Sequence, residues 1–329
     1  MENNFFDYES YMIAERERTA LKRTALAIGL SVIIFFVSSY LAGYALATPT
    51  YYILESVPTV ELYDVVYELY TALIYALPLL LAIIPIPLLT RIPLKVALPM
   101  RKPQARIAVP GVMAALGSSV IGITIASVLL TLFQTAGLGY DVPTPPVPET
   151  NIGILMYIFT LSVLPAILEE ILFRGFILQS LRRFGDMFAV IISALVFALV
   201  HGNFAQLPNA FIMGVTIAFL AVKTGSLIPG MILHFINNFG ATVLDVFLIS
   251  RTENEVLAGI YSLGYMGLYF FVGIIGIIIL LVRDDKFFTL VPYKSPLTVG
   301  QRTKAFFLQP VALTGIVLML VFCCTFFVL

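Results

Sequence analysis

Charged side chains are scarce in this chain: Asp, Glu, Lys and Arg make up 12% of its 329 residues, against 60% hydrophobic residues and a mean hydropathy of +1.00. That balance excludes an ordinary soluble globular domain. Net charge is zero, so there is no basic excess to attract nucleic acid, and no nucleic-acid partner is expected. Cysteine is nearly absent: Cys323 and Cys324 stand side by side in the last apolar run. Adjacent residues on a helix point in different directions, which excludes a disulfide framework or a metal knuckle there. A prenylation signal would need Cys four residues from the end, where Phe326 stands, so the chain is not expected to be itself a substrate for that modification. Internal repeats, low-complexity tracts, a Gly-x-Ser-x-Gly elbow and a His-Glu-x-x-His helix are also missing.

What remains is a series of long apolar runs, at about 24–46, 69–91, 107–135, 153–181, 187–201, 206–222, 226–249, 256–282 and 308–329. Crossing a bilayer takes roughly 20 apolar residues. The expected fold is therefore all-α, a polytopic transmembrane helix bundle of about nine spans in an integral membrane protein. Of the 19 Lys and Arg residues only Arg251 falls in the alternate loops, which predicts a cytoplasmic amino terminus and an outer carboxyl terminus. Ala45-Leu46-Ala47 resembles a signal cleavage site, but the charged leader and the apolar run are both too long, and a retained anchor is expected. The expected division is a cytoplasmic segment 1–23, three spans in 24–150, a core in 151–250 and two final spans in 251–329. Pro143-Thr144-Pro145-Pro146-Val147-Pro148 reads as a stiff outer connector between spans three and four.

Chemistry-bearing residues concentrate between 165 and 240, which hold both histidines. Glu169, Glu170 and Arg174 lie in Leu168-Glu169-Glu170-Ile171-Leu172-Phe173-Arg174. Ionisable residues inside an apolar helix face a partner or a cavity and mark a candidate site. Measured from the break at Gly185, Glu169 lies sixteen residues before and His201 sixteen after, so both sit roughly 24 Å along antiparallel helices. Counted from Lys223, His234 and Asn238 reach roughly 16 to 22 Å, a similar depth. Positions i and i+4 share a helix face, which pairs Glu170 with Arg174, Phe197 with His201, and His234 with Asn238. The pairing leaves Glu169 as the free carboxylate.

A carboxylate and an imidazole on either side of a water can polarise it for attack on a carbonyl. A second imidazole and an amide can donate to the oxyanion that forms. Glu169 with His201, and His234 with Asn238, are the candidates for these tasks; Glu170, Arg174 and Phe197 are candidate supports. Asn237 is turned about 100° from Asn238 and reads as interhelical packing, while Asn203 and Gln206 read as turn residues.

At these positions the chain resembles the membrane glutamic endopeptidases of the CAAX-processing and bacteriocin-processing group, the type II CAAX prenyl protease or ABI family. Glu-Glu-x-x-x-Arg matches Glu169, Glu170 and Arg174; Phe-x-x-x-His matches Phe197 and His201; His-x-x-x-Asn matches His234 and Asn238. The resemblance implies an intramembrane endopeptidase that uses no cofactor and no metal. In it, residues matching Glu169 and His201 activate water, and those matching His234 and Asn238 hold the oxyanion. The implied partners are membrane lipid and a peptide or protein substrate, lipidated in CAAX-processing members. The implied setting is the plasma membrane of a prokaryote.

Three other readings fit parts of the pattern. Two histidines and a glutamate could hold zinc as an intramembrane metalloprotease. Glu169 and the histidines could relay protons in a transporter, although no inverted halves are visible. A noncatalytic immunity or partner protein would have no need of a water-activating pair.

Overall fold

The computed structural model describes residues 2–143, 145–284 and 286–328, without the side chains of residues 2–7. Thr144 of the expected connector, and Met1, Asp285 and Leu329 of the expected terminal segments, lie outside the described residues. The chain is a helical polytopic bundle. Its longer helices are α1 (Glu2–Ser56), α2 (Val60–Thr90), α3 (Ala105–Thr135), α4 (Asn151–Phe184), α5 (Asp186–Val200), α6 (Leu207–Thr224), α7 (Ile228–Ile249), α8 (Glu255–Arg283), α9 (Val299–Phe307) and α10 (Pro310–Cys323). Many large apolar side chains remain exposed, among them Val282 at 82% and Phe271 at 65%. That is the surface a lipid-embedded bundle presents, and the chain is an integral membrane protein.

Each of the nine apolar runs coincides with a helix, but fewer than nine helices are full spans. Among the described residues seven are long and apolar enough to cross a membrane, and up to eight if a bent pair counts as one. The fifth run forms α5, only 15 residues long, about 22 Å against a hydrocarbon core of about 30 Å. The ninth is preceded by α9 and bent by 74° from it. Pro310 opens α10 without an N–H, and Gln309 in extended backbone caps it by accepting from the Ala312 N–H at 2.7 Å.

Local chemistry fixes the helix ends that position the core. Thr150 caps α4 by accepting from the Gly153 N–H at 3.1 Å, and its hydroxyl donates to Asp64 of α2 at 2.6 Å, which ties the two helices at one end. Pro208 and Pro229 occupy first-turn positions of α6 and α7, and Gly225 closes α6 in the left-handed conformation. Asn254 caps α8 by accepting from the Val256 and Leu257 N–H groups. Helices α3 and α8 pack along much of their length and touch through glycine: a Cβ on Gly117 would lie 2.7 Å from the Gly273 Cα.

Two apolar clusters flank the site. One draws on α1, α2, α4, α5 and α10 and contains Phe173, Phe197 and Met319; the other joins α3, α6, α7 and α8 through Leu116, Met213, Leu233 and Tyr269. One small feature had no sequence signal. Strand β1 (Gly139–Tyr140) pairs antiparallel with β2 (Phe327–Val328), which returns the end of the chain to the loop after α3.

Candidate active site

Helix α4 departs from regular α-geometry where the charged residues sit. Phe159–Val163 and Glu170–Ile177 are π-helical, with ordinary α-turns between them. Such wide turns occur often at functional sites. Pro165 explains part of the first. It has no N–H, so the Leu161 carbonyl four residues earlier loses its α-helical donor. Asn238 of α7 replaces that donor, its Nδ2 lying 3.2 Å from the Leu161 oxygen. Further on, Ser193 of α5 donates to the Phe173 carbonyl at 2.8 Å, and Gln179 donates to the Arg174 carbonyl at 3.2 Å.

The π-turn still places Glu170 and Arg174 on one face. The Arg174 guanidinium donates to Glu170 Oε1 at 3.0 Å, both side chains fully buried. It also donates to the Gly214 carbonyl at 3.3 Å and lies 4.0 Å over the Phe197 ring. Phe197 in turn meets His201 and His234 edge-on, at 4.8 and 5.9 Å between ring centres. The phenyl ring is thus the hub that the arginine and both imidazoles share.

His234 stands between the two carboxylates. Its Nδ1 is 2.9 Å from Glu170 Oε1, and its Nε2 is 3.7 Å from Glu169 Oε2. A Glu170 held as carboxylate by Arg174 can only accept, so His234 Nδ1 carries the proton. Nε2 then faces Glu169 as an acceptor in the neutral ring and as a donor when the ring is protonated. Glu169 accepts on its other oxygen from the Tyr75 hydroxyl at 2.5 Å, while its Oε2 has no hydrogen-bond partner. Gly230 of α7 leaves room for this group, since a Cβ there would come within 3.3 Å of Glu170 Oε2.

A cavity of about 410 Å³ adjoins the cluster. His201, His234, Asn237, Asn238, Asn209 and Gln206 supply its polar lining, and α3 and α6 contribute apolar walls through residues such as Ile123 and Met213. Glu169 is outside this lining, and His234 is the residue common to the carboxylate pair and the cavity. His201 caps the end of α5, with Nδ1 2.8 Å from the Phe197 carbonyl. Asn237 donates to Asn238 Oδ1 at 3.2 Å. With Asn238 Nδ2 also engaged at Leu161, each amide retains one N–H for another acceptor.

The motif residues therefore gather in one place, with differences from the expected pairing. Among the described residues Glu169 and His201 share no hydrogen bond; the imidazole beside Glu169 is His234. Asn237 was expected to serve packing, yet it lines the cavity with Asn238. Gln206 also reaches the lining, whereas Asn203 holds the turn, donating to the His201 carbonyl at 2.9 Å and accepting from the Gln206 N–H at 2.8 Å. Tyr75 and Asn209 were missed. Asn209, whose buried Oδ1 has no partner, was detectable as an amide near the start of an apolar helix; Tyr75, an aromatic in an apolar span, gave no signal. Among the described residues no group of three His, Cys, Asp or Glu side chains has the proximity needed to hold a metal ion.

Comparison with known proteins singles out the same segment. Residues 151–240 match the family described as type II CAAX prenyl endopeptidase Rce1-like. The chain is also similar to the membrane-embedded CAAX protease MroQ of Staphylococcus aureus (strain USA300), with 33% identity over 90 residues, covering 25% of this chain and 36% of that protein. The matched segment thus spans little more than a third of that relative's length. No solved structure matches the chain.

Proposed function

We propose that this chain, whose residues 151–240 belong to the Rce1-like type II CAAX prenyl endopeptidases, is an intramembrane endopeptidase that hydrolyses a peptide bond with an activated water. The observation that carries the reading is the Glu169–His234–Glu170–Arg174 cluster opening onto the cavity lined by His201, His234 and Asn238. Glu169 Oε2, buried and without a hydrogen-bond donor, is the base that takes the water proton as the oxygen attacks the scissile carbonyl carbon. His201 orients that water from the cavity wall. His234 and Asn238 donate to the oxyanion, His234 through Nε2–H in its protonated ring. Collapse of the tetrahedral species breaks the C–N bond, and the proton held by Glu169 passes to the departing amine. Glu170 and Arg174 do no chemistry; they fix the His234 ring through Nδ1, and Phe197 fixes the planes of both imidazoles.

The substrate is a peptide or protein segment, and the apolar walls suit one that bears a lipid or an apolar tail. The setting is the plasma membrane of a prokaryote, as the organism of the similar protein suggests. The test is incubation of the purified chain with a prenylated CAAX peptide and with a bacteriocin-like precursor, read by mass spectrometry. The expected result is two fragments from a single internal cut, with rates unchanged by a chelator. Loss of cutting on chelation, restored by zinc, would replace this mechanism with a metalloprotease. Intact peptides throughout would leave the noncatalytic partner reading in its place.

A further inference from the structure

Far from the carboxylate cluster, at the junction of α4 and α5, the chain buries a second arginine in a different setting. Arg302 of α9 is 8% exposed. One terminal nitrogen donates to the Phe184 carbonyl, and the guanidinium lies 5.7 and 5.8 Å from the Phe188 and Tyr293 ring centres. Its Nε is buried without a partner, and among the described residues no carboxylate pairs with it. Asp186 is nearby, but Arg182 occupies both of its oxygens, at 2.7 and 3.4 Å. A buried cation with an unused donor and no counter-charge is expensive to maintain.

Arg302 lines a cavity of about 400 Å³ whose other walls are mostly apolar, including Phe188, Ile191 and Leu195 of α5, Leu290 and Phe307, with the Arg182-paired Asp186 and Thr303 as further polar lining. The cavity lies where α4 ends in Arg182 and Arg183, the level at which basic side chains meet headgroups. Helix α9 has the form of an interfacial segment: nine residues, opened by a Thr298–Gln301 capping box and bent by 74° from α10.

We propose that this cavity is a binding site for an anionic phospholipid, with the phosphate on Arg302 and an acyl chain along α5. The phosphate supplies the missing counter-charge and an acceptor for the terminal N–H groups of the guanidinium. The acyl chain fills an apolar space that a free anion would leave unfilled. The bound lipid bridges α9 to α5 and so fixes the bend before α10. The site is separate from the proposed hydrolytic cluster and does not rest on it.

Native mass spectrometry of the chain, delipidated and then offered phosphatidylglycerol, phosphatidylcholine or inorganic phosphate, tests the assignment. Wild type should retain phosphatidylglycerol about tenfold better than phosphatidylcholine, and Arg302→Gln should abolish that preference. Ile191→Trp fills the apolar part and leaves the guanidinium intact; it should lower phosphatidylglycerol retention by a similar factor and decides the matter if Arg302→Gln does not fold. Glu169→Gln should bind lipid as wild type does. Unchanged retention in the Arg302→Gln or Ile191→Trp protein would overturn the proposal, as would displacement of the lipid by millimolar phosphate.

Discussion

Replacing Arg174 by methionine tests the buried support of the site, because three interactions vanish while most of the side-chain volume remains. The guanidinium is fully buried, donates to Glu170 at 3.0 Å and to the Gly214 carbonyl at 3.3 Å, and lies 4.0 Å over Phe197. Removing one member of a buried ion pair leaves the other uncompensated, a loss of about 3–5 kcal/mol. His234 Nδ1 still reaches Glu170, which places the expected loss toward the lower end of that range. Adding Glu170→Gln to Arg174→Met removes the stranded charge, so the double variant should be less destabilised than the two single losses added together, with a coupling of about 1–3 kcal/mol. Unfolding of the purified protein in mixed micelles, followed by helical circular dichroism against rising denaturing detergent, reads all four proteins of the cycle. An Arg174→Met midpoint equal to wild type, or strict additivity in the double variant, would refute the uncompensated-charge argument.

Other positions give sharper local tests. Tyr75→Phe removes the hydroxyl that holds Glu169 at 2.5 Å; cleavage should fall about 10- to 100-fold with the unfolding midpoint changed little. Asn238→Ala strands the Leu161 carbonyl, and Pro165→Ala in the same protein should restore part of the lost stability by returning an N–H to that carbonyl, measured by the same unfolding assay. Gly273→Leu should separate α3 from α8, since a Cβ there already approaches the Gly117 Cα to 2.5 Å; loss of folded yield in detergent checks it.

Apolar length made the helices legible, because crossing hydrocarbon demands a run of apolar residues whatever their order. The number of full spans depended on α5 stopping at Val200 and on the bend at Gln309–Pro310, and packing as well as local sequence decides such stops. The Glu170–Arg174 contact followed from i, i+4 spacing and survives in a π-helical turn that no hydrophobic period reveals. Counting residues from Gly185 and Lys223 put both histidines and Asn238 at a similar height, and the three line one cavity. Depth carries no information about helix rotation, however, and rotation decides that His234, rather than His201, faces Glu169. Tyr75 was invisible for a related reason: it comes from a span outside the motif segment and acquires meaning only when α2 packs on α4. The Asn238 bond to Leu161 needed Pro165 to be read as a missing donor, a signal present in the sequence but meaningful only once α7 lies beside α4.

The rate of peptide cleavage by Glu169→Gln beside wild type, on the same peptide and with both proteins shown to be folded, measures whether Glu169 is the base that activates water. The glutamine keeps the shape and an acceptor for Tyr75 but cannot take a proton from water. Cleavage should fall about 10²- to 10⁴-fold, whereas a rate within a few-fold of wild type would mean that Glu169 is not the base.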